Sequence, residues 1–479
     1  MALDFTRYLP PGVYTEAVPG PQLSVQSLTP TSVGIFGMSV GYRTDTETLV
    51  IDPDVDASTP AVNRTLRQAG IRTDTIVVRN SDSGQVWQLN VDYTVNTITV
   101  GADAQAGTRD DLYSIQRVIT GGHIHPADSV QVSYSYVNSD YFQPYSFYDY
   151  DDFRDAYGTP YDAAGQLQSE LSLAARFAFT NGAQTIIAVA VDPVTPATPT
   201  LADYQVALDK LKDEPDISIV VPATGMQQIQ TIVQAHVNQQ SSNRYERRAI
   251  VGRDGSATPV SSAQRIADAQ AIHNSRVAMV SPATMKYFVP ELNKEITLGS
   301  HFLAAAVAGI SVSQNSAMPL TRRQVVGFSD LGEKTAEGQK NLESQNGLMV
   351  IEKTRSNLTR VRHGVTTNPQ DTLTREWSII GQEDAMIFRL REYLDNDRLL
   401  GAIITDLTMI NVKASVDAAL QSLVRDGVIR NYAQLKVRQL DTQPDVIEVR
   451  YEWLAALPLN YLVVRYSLNV TQGEISTSL

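Results

Sequence analysis

Four short runs in this chain carry residue types that could do chemistry. Gly327-x4-Gly332-Glu333-Lys334-Thr335 approaches a phosphate-binding loop. Such a loop needs Gly, Lys and Thr contiguous, so that backbone N–H groups cradle the phosphate while the lysine reaches it. Here Glu333 separates Gly332 from Lys334, and a polar connector is the favoured reading. His123 and His125 could share one face of a strand and bind a metal, but no third ligand is evident and a turn before a strand is favoured. Asp52, Asp54 and Asp56 imitate the start of a calcium loop. Ala57 stands where the sharp turn needs glycine, and Asn63 where a bidentate glutamate belongs. Asp149, Asp151 and Asp152 read as a solvated helix start, where carboxylates suit the helix dipole. Gly-x-Ser-x-Gly, His-Glu-x-x-His and dinucleotide fingerprints are absent from the sequence. With six histidines and no cysteine, disulfides and thiolate metal sites are excluded, and no catalytic residue, metal or cofactor is expected.

The elements that would position any site belong to a chain of 479 residues, for which length alone suggests about three domains. Apolar residues make up 43% and charged residues 19%, as in folded proteins. The net charge of −13 argues against a grip on nucleic-acid phosphates. The acidity is uneven: residues 341–479 hold 15 Lys and Arg against 17 Asp and Glu, while the first 340 hold 24 against 35. The N-terminus lacks a charged segment followed by an apolar one, so no signal peptide is expected. The longest apolar stretches are too short to span a bilayer.

Residues 1–28 form an extended arm, because Pro10, Pro11, Pro19 and Pro21 prevent a helix. Thr31–Gly41 is a buried strand with glycines where backbones come close. Residues 51–140 hold short strands parted by turn clusters and read as an inserted all-β domain. Residues 29–50 and 141–340 then form a discontinuous α/β domain, its strands at 185–191, 217–221, 248–252 and 276–280 alternating with helices. A last domain, 341–460, holds strands at 347–353 and 361–367 and a helix at 383–400. A second, amphipathic helix spans 412–426, with Val412, Val416, Ala419, Leu420 and Leu423 inward. Lys413, Asp417, Gln421 and Arg425 form its polar ridge, and Gly427 stops it. A hairpin, 432–440 with 446–453, follows, in which Ile447, Val449, Tyr451 and Trp453 alternate with charges. The whole is an α+β multidomain chain: α/β sandwich-type domains, a small all-β insert and extended terminal arms.

The end of the chain is its most distinctive stretch. In Tyr461–Val470, the residues Leu462, Val464, Tyr466, Leu468 and Val470 alternate with Tyr461, Val463, Arg465, Ser467 and Asn469. That period of two defines a strand with one wholly apolar face, which must pair with something. Paired with the Pro-punctuated N-terminal arm, it suggests strands donated to neighbours, with the hairpin of Ile447, Val449, Tyr451 and Trp453 as acceptor.

These features resemble the contractile tail sheath family of bacteriophages and related particles. Pro11-Gly12-Val13-Tyr14-Thr15-Glu16 is similar to the family's opening P-G-V-Y-x-E. Thr31–Gly37 is similar to its first core strand, and Val130–Tyr141 to the exit from its inserted β-domain. Tyr148–Gly158, Leu171–Asn181, Thr366–Trp377 and the helix around Ser415-Val416 also fit. The resemblance implies a structural, non-enzymatic subunit of the virion tail, assembled in the host cytoplasm into stacked hexameric rings around a tube. On triggering, the sheath contracts and drives the tube through the host envelope. The implied partners are other copies of the chain, the tail tube protein, and baseplate and tail terminator proteins, with no nucleic acid and no membrane insertion. Donated segments would be the arm (Pro11, Gly12, Val13, Tyr14, Glu16, Leu23, Val25) and residues 461–479. The domain 341–460, with Lys413, Asp417, Gln421 and Arg425, would face the tube, and the β-insert would face outward. A tailocin, extracellular injection or secretion-system sheath is the alternative within this class. An α/β enzyme with a β-insert is the alternative outside it.

Overall fold

The computed structural model describes residues 30–39, 42–54, 65–98, 111–137, 139–162, 164–191, 199–395 and 399–466. The arm residues Pro11 to Val25, the acidic Asp56 with Ala57 and Asn63, and Leu468 and Val470 lie outside them.

Strand β1 (Ser32–Met38) opens the main domain. The β-insert follows: β2 (Tyr42–Val50), β3 (Ile71–Asn80), β4 (Tyr93–Ile98), β5 (Leu112–Arg117) and β6 (Ser129–Val137). The chain returns through β7 (Tyr145–Phe147), α1 (Tyr150–Tyr157), α2 (Glu170–Thr180), β8 (Ile186–Val191), α3 (Leu201–Lys210), β9 (Ile217–Pro222), α4 (Gln227–Ser242), β10 (Arg248–Val251), α5 (Ser262–Ile272) and β11 (Val277–Ser281). Next come β12 (Thr284–Val289), β13 (Lys294–Gly299), α6 (Ser300–Val312), β14 (Asp330–Leu331), α7 (Glu337–Gln345), β15 (Leu348–Lys353) and β16 (Thr359–Val361). The chain then runs through α8 (Thr372–Arg375), α9 (Trp377–Leu394), α10 (Asp406–Arg425), β17 (Ile429–Gln439) and β18 (Ile447–Ala455).

The main domain is a three-layer α/β unit. Its eight-stranded sheet runs β16-β15-β11-β10-β9-β1-β8-β7, parallel inside and antiparallel at both edges. Central strands such as Ile186-Ile-Ala-Val-Ala-Val191 are buried on both faces, which is why they read as continuous apolar runs. Helices α2 and α6 cover one face, and α3, α4 and α5 the other. Close approaches explain two glycines. A Cβ on Gly37 would lie 2.5 Å from that of Ala223, and one on Gly309 would lie 2.2 Å from the Ala178 carbonyl, where α6 crosses α2.

Two expected boundaries move. The all-β unit begins at β2, not at residue 51, because β2 pairs along its full length with β6, which also holds β3. That unit has a core of its own around Trp87, Tyr93, Ile115, Val132 and Tyr134. The first strand expected to open the domain at 341 belongs instead to the main sheet, β15 pairing in parallel with β11; the second, expected at 361–367, is the short β16 at Thr359–Val361, antiparallel to β15, and 362–367 is irregular. The C-terminal unit therefore starts within α9. Trp377 at its N-terminus is buried in the main core, while Ala385 and Met386 enter a separate core with Leu420, Leu423 and the hairpin. One helix thus spans both cores, and charge pins it to the sheet. Asp384 faces Arg276 at 2.8 Å and Arg248 at 3.4 Å, and Arg248 lies 4.4 Å over the Trp377 ring.

Candidate functional site

The residues singled out for chemistry are structural in this fold. Glu333 accepts from buried Arg265 at 2.8 Å, so the glycine-lysine run is an ion-paired connector behind β14. His123 Nδ1 lies 2.6 Å from Asp92, and His125 pairs with Asp128 at 3.6 Å, so the two rings serve different carboxylates. Asp54 pairs with Arg117. Asp149 caps α1 by accepting from the Asp152 N–H, which fits the helix-start reading. Among the described residues no group of three or more His, Asp or Glu could hold a metal.

The C-terminal unit carries exposed apolar and polar side chains together. Thr405 caps α10 by accepting from the Thr408 N–H, so the helix starts six residues before Val412. Val416, Leu420 and Leu423 face inward as expected, and Gly427 ends the helix at φ 70°. The expected polar ridge is only partly free. Lys413, Gln421 and Arg425 are exposed, but Asp417 accepts from the Tyr432 hydroxyl at 2.6 Å and from Gln421 at 2.7 Å. Partial burial and the Asp417 bond push the Tyr432 phenol up. The sequence reading missed an exposed apolar row before this ridge: Ile403, Leu407 and Ile410, 62–84% exposed. Their spacing of four and three was the available signal.

The hairpin β17–β18 has two unlike faces. Val449, Tyr451 and Trp453 pack half-buried on α9 and α10. On the other face Glu448 accepts from Arg438 at 2.6 Å and from Arg450 at 2.8 Å, and these guanidiniums, Arg450 first, hold its carboxyl below the ordinary range. Among the described residues the sheet has only these two strands. The chain then leaves along α9. Gln382 bonds Ala456 through both its carbonyl and its N–H, at 3.0 and 2.8 Å, and Asn460 donates to Glu376 at 3.1 Å. The segment after β18 is therefore fastened at Ala456 and at Asn460. Beyond it, Tyr461–Tyr466 pairs with no strand among the described residues, and Leu462, Val464 and Tyr466 are 74–92% exposed. At the other terminus, Pro30 and Thr31 line a cavity of about 260 Å³ with Arg389, Leu423 and Val428. Pro30 thus lies beside the C-terminal unit, whereas Asn460 and Tyr461 share a cleft with Arg322, Glu352 and Arg362 of the main domain.

The described chain thus combines a three-layer α/β domain, a β-insert with its own core, a helix-hairpin unit and an exposed apolar segment at 461–466. A family model for the phage tail sheath protein central domain matches residues 197–367, which end just past β16. The tail sheath protein of Mycobacterium phage Bxz1 is 46% identical over all of this chain and 99% of its own length. The chain belongs to the phage tail sheath family, and it is a structural subunit of a contractile tail sheath and so a component of the virion. The fold agrees. The contracted helical sheath of the anti-feeding prophage superposes with a TM-score of 0.53 at 14% identity, covering 68% of this chain and 88% of that one. The contracted PVC sheath complex of an extracellular contractile injection system does so with 0.52 at 14%, covering 68% and 87%.

Proposed function

We propose that subunits join by strand donation: residues 461–479 of one copy, and the arm 1–28 of another, add to the β17–β18 hairpin of a neighbour. The observation that carries this is the match of two alternations. A strand laid beside β18 with Leu462, Val464 and Tyr466 over α9 and α10 would continue the face of Val449, Tyr451 and Trp453. Arg465 would then lie beside the charged face of Glu448 and Arg450. Each backbone hydrogen bond added contributes about 1 kcal/mol net. Each large apolar side chain buried contributes about 1.5–3 kcal/mol. The contact is heterologous, so it propagates as the stacked hexameric rings of a sheath.

In this reading the sheath assembles in the host cytoplasm around the tube, between baseplate and terminator, and contracts without nucleotide because the extended array is metastable. Helix α10 and the segment before it face the tube, offering Ile403 ahead of the helix, then Leu407 and Ile410 on it, and then the ridge of Lys413, Gln421 and Arg425. The subunit itself does no enzymatic chemistry. Deleting residues 461–479 is the test. Loss of polymerisation with an intact monomer is expected, and normal tubes under the electron microscope would refute donation.

A further inference from the structure

The eight-stranded sheet carries opposite charge at its two ends. At the β7 end, Asp149, Asp151, Asp152 and Asp155 lie within seven residues that hold one cation, Arg154, which takes Asp151 at 2.9 Å and Asp155 at 3.1 Å. Asp152 has no cation beside it among the described residues, and crowding, by Asp149 first, raises its pKa. Asp152 and Asp155 border a cleft of about 310 Å³ that also holds Tyr145 and Tyr148, which are 52% and 73% exposed. Carboxylates beside aromatic faces suit a guanidinium, which pairs with the former and stacks on the latter.

At the other end, β15 and β16 form a hairpin whose turn, 354–358, carries exposed Arg355. Arg355 makes no ion pair among the described residues, and neither does Arg322 at the hairpin's base. The groove below, about 650 Å³, is lined by both, by Arg360 and Arg362, and by Glu352, which those two arginines already engage. In a chain of net charge −13, this is a localised basic projection. Strand spacing of about 4.8 Å puts the ends of an eight-stranded sheet roughly 34 Å apart. A copy therefore cannot neutralise its own two ends, and a second copy can.

We propose that the Arg355 turn of one copy seats in the Tyr145, Tyr148, Asp152 and Asp155 cleft of the next. This is a head-to-tail contact between main domains, separate from the donated strands. Projection and cleft occupy different parts of one chain, so the contact repeats from copy to copy, and its charge complementarity sets register and partner.

The proposal rests on the sheath assembly, and the two fail differently. A wild-type chain that never self-associates refutes both, whereas wild-type assembly by Arg355→Glu refutes this contact alone. With the full chain, Arg355→Glu, and separately Asp152→Arg with Asp155→Arg, should each raise the concentration needed for tubes about tenfold or more. Unfolding temperatures should hold, because all three side chains are exposed. Mixing the two variants one to one should restore assembly to within about threefold of wild type, since alternating copies then meet opposite charge at every contact. A mixture as defective as its components, followed by sedimentation and negative-stain microscopy, refutes the contact and leaves the turn to another partner.

Discussion

Strand donation makes a prediction that depends on the parity of a single residue. Val463 and Val464 are adjacent, alike in chemistry, and 76% and 74% exposed in the isolated chain. In a donated strand they point to opposite faces. Val464→Asp would remove about 1.5–3 kcal/mol of burial at the joint. It would also place a carboxylate against apolar side chains, at a cost of several kcal/mol unless it is protonated. A loss of about 3 kcal/mol or more at each joint corresponds to roughly 140-fold weaker association. Val463→Asp would stay on the charged outer face with Arg465, and its effect should be within about 0.5 kcal/mol. Neither variant should change unfolding of the monomer, since both side chains already face water. Sedimentation across a concentration series, read beside tube lengths by electron microscopy, measures the difference. Equal effects at the two positions, or tubes from Val464→Asp at wild-type concentration, would refute pairing as a strand.

Two further predictions concern the main domain. Arg265 and Glu343 are each 1% exposed and 2.8 Å apart, and Ser281 also donates to Glu343 at 2.6 Å. Glu343→Ala should cost about 1–3 kcal/mol, because Arg265 keeps Glu333 but loses its second carboxylate and Ser281 loses its acceptor, read from denaturant unfolding of the monomer. Burial holds His301 near 4 and, helped by Arg247, His236 near 3, both below the ordinary value of 6.5. Below pH 6.5 the unfolded chain binds protons that these two folded rings refuse, so their contribution should lower stability from there toward pH 4 and stop growing below about 3. The slope is at most about 1.4 kcal/mol per pH unit for each ring. His301→Leu should flatten the upper part of that fall in a series of thermal melts, and an unchanged profile would count against the cause.

The central α/β layers were legible because strands buried on both faces leave unbroken apolar runs, as in Ile186–Val191 and Val277–Ser281. Sheet membership was not. Nothing in Leu348–Lys353 says that it pairs in parallel with β11, because a partner some 70 residues away leaves no local periodicity. The same blindness placed β2 outside the insert, though its partner β6 was recognised. The β12–β13–β14 sheet went unseen because its longer strands mix apolar and charged residues in short runs, Lys286 and Glu295 among them. Period two identified the hairpin face, and the same period in residues 461–466 is what the proposed donation rests on. The fastening of the segment after β18 was invisible, since it rests on side chains of α9, Gln382 and Glu376, that only the fold brings beside Ala456 and Asn460.

That fastening bears on how a moving sheath could stay joined. With Ala456 and Asn460 held to α9, and α9 held to the main sheet through Asp384, the first freely turning point of the described tail is Tyr461. If the strand is donated as proposed, the pivot would lie between subunits, and a subunit could reorient as one body while that strand stays seated. The two proposed contacts differ in kind. A donated strand is held by apolar burial and backbone hydrogen bonds, which salt screens little, and releasing it exposes everything at once. The Arg355 contact is made by exposed charges, which are screened over about 8–10 Å at ordinary ionic strength and can exchange partners singly. A lattice needs the first kind to keep its connectivity and the second to change its register. In this chain the two are separated, the tether on the C-terminal unit and the charged turn and cleft on the ends of the main sheet.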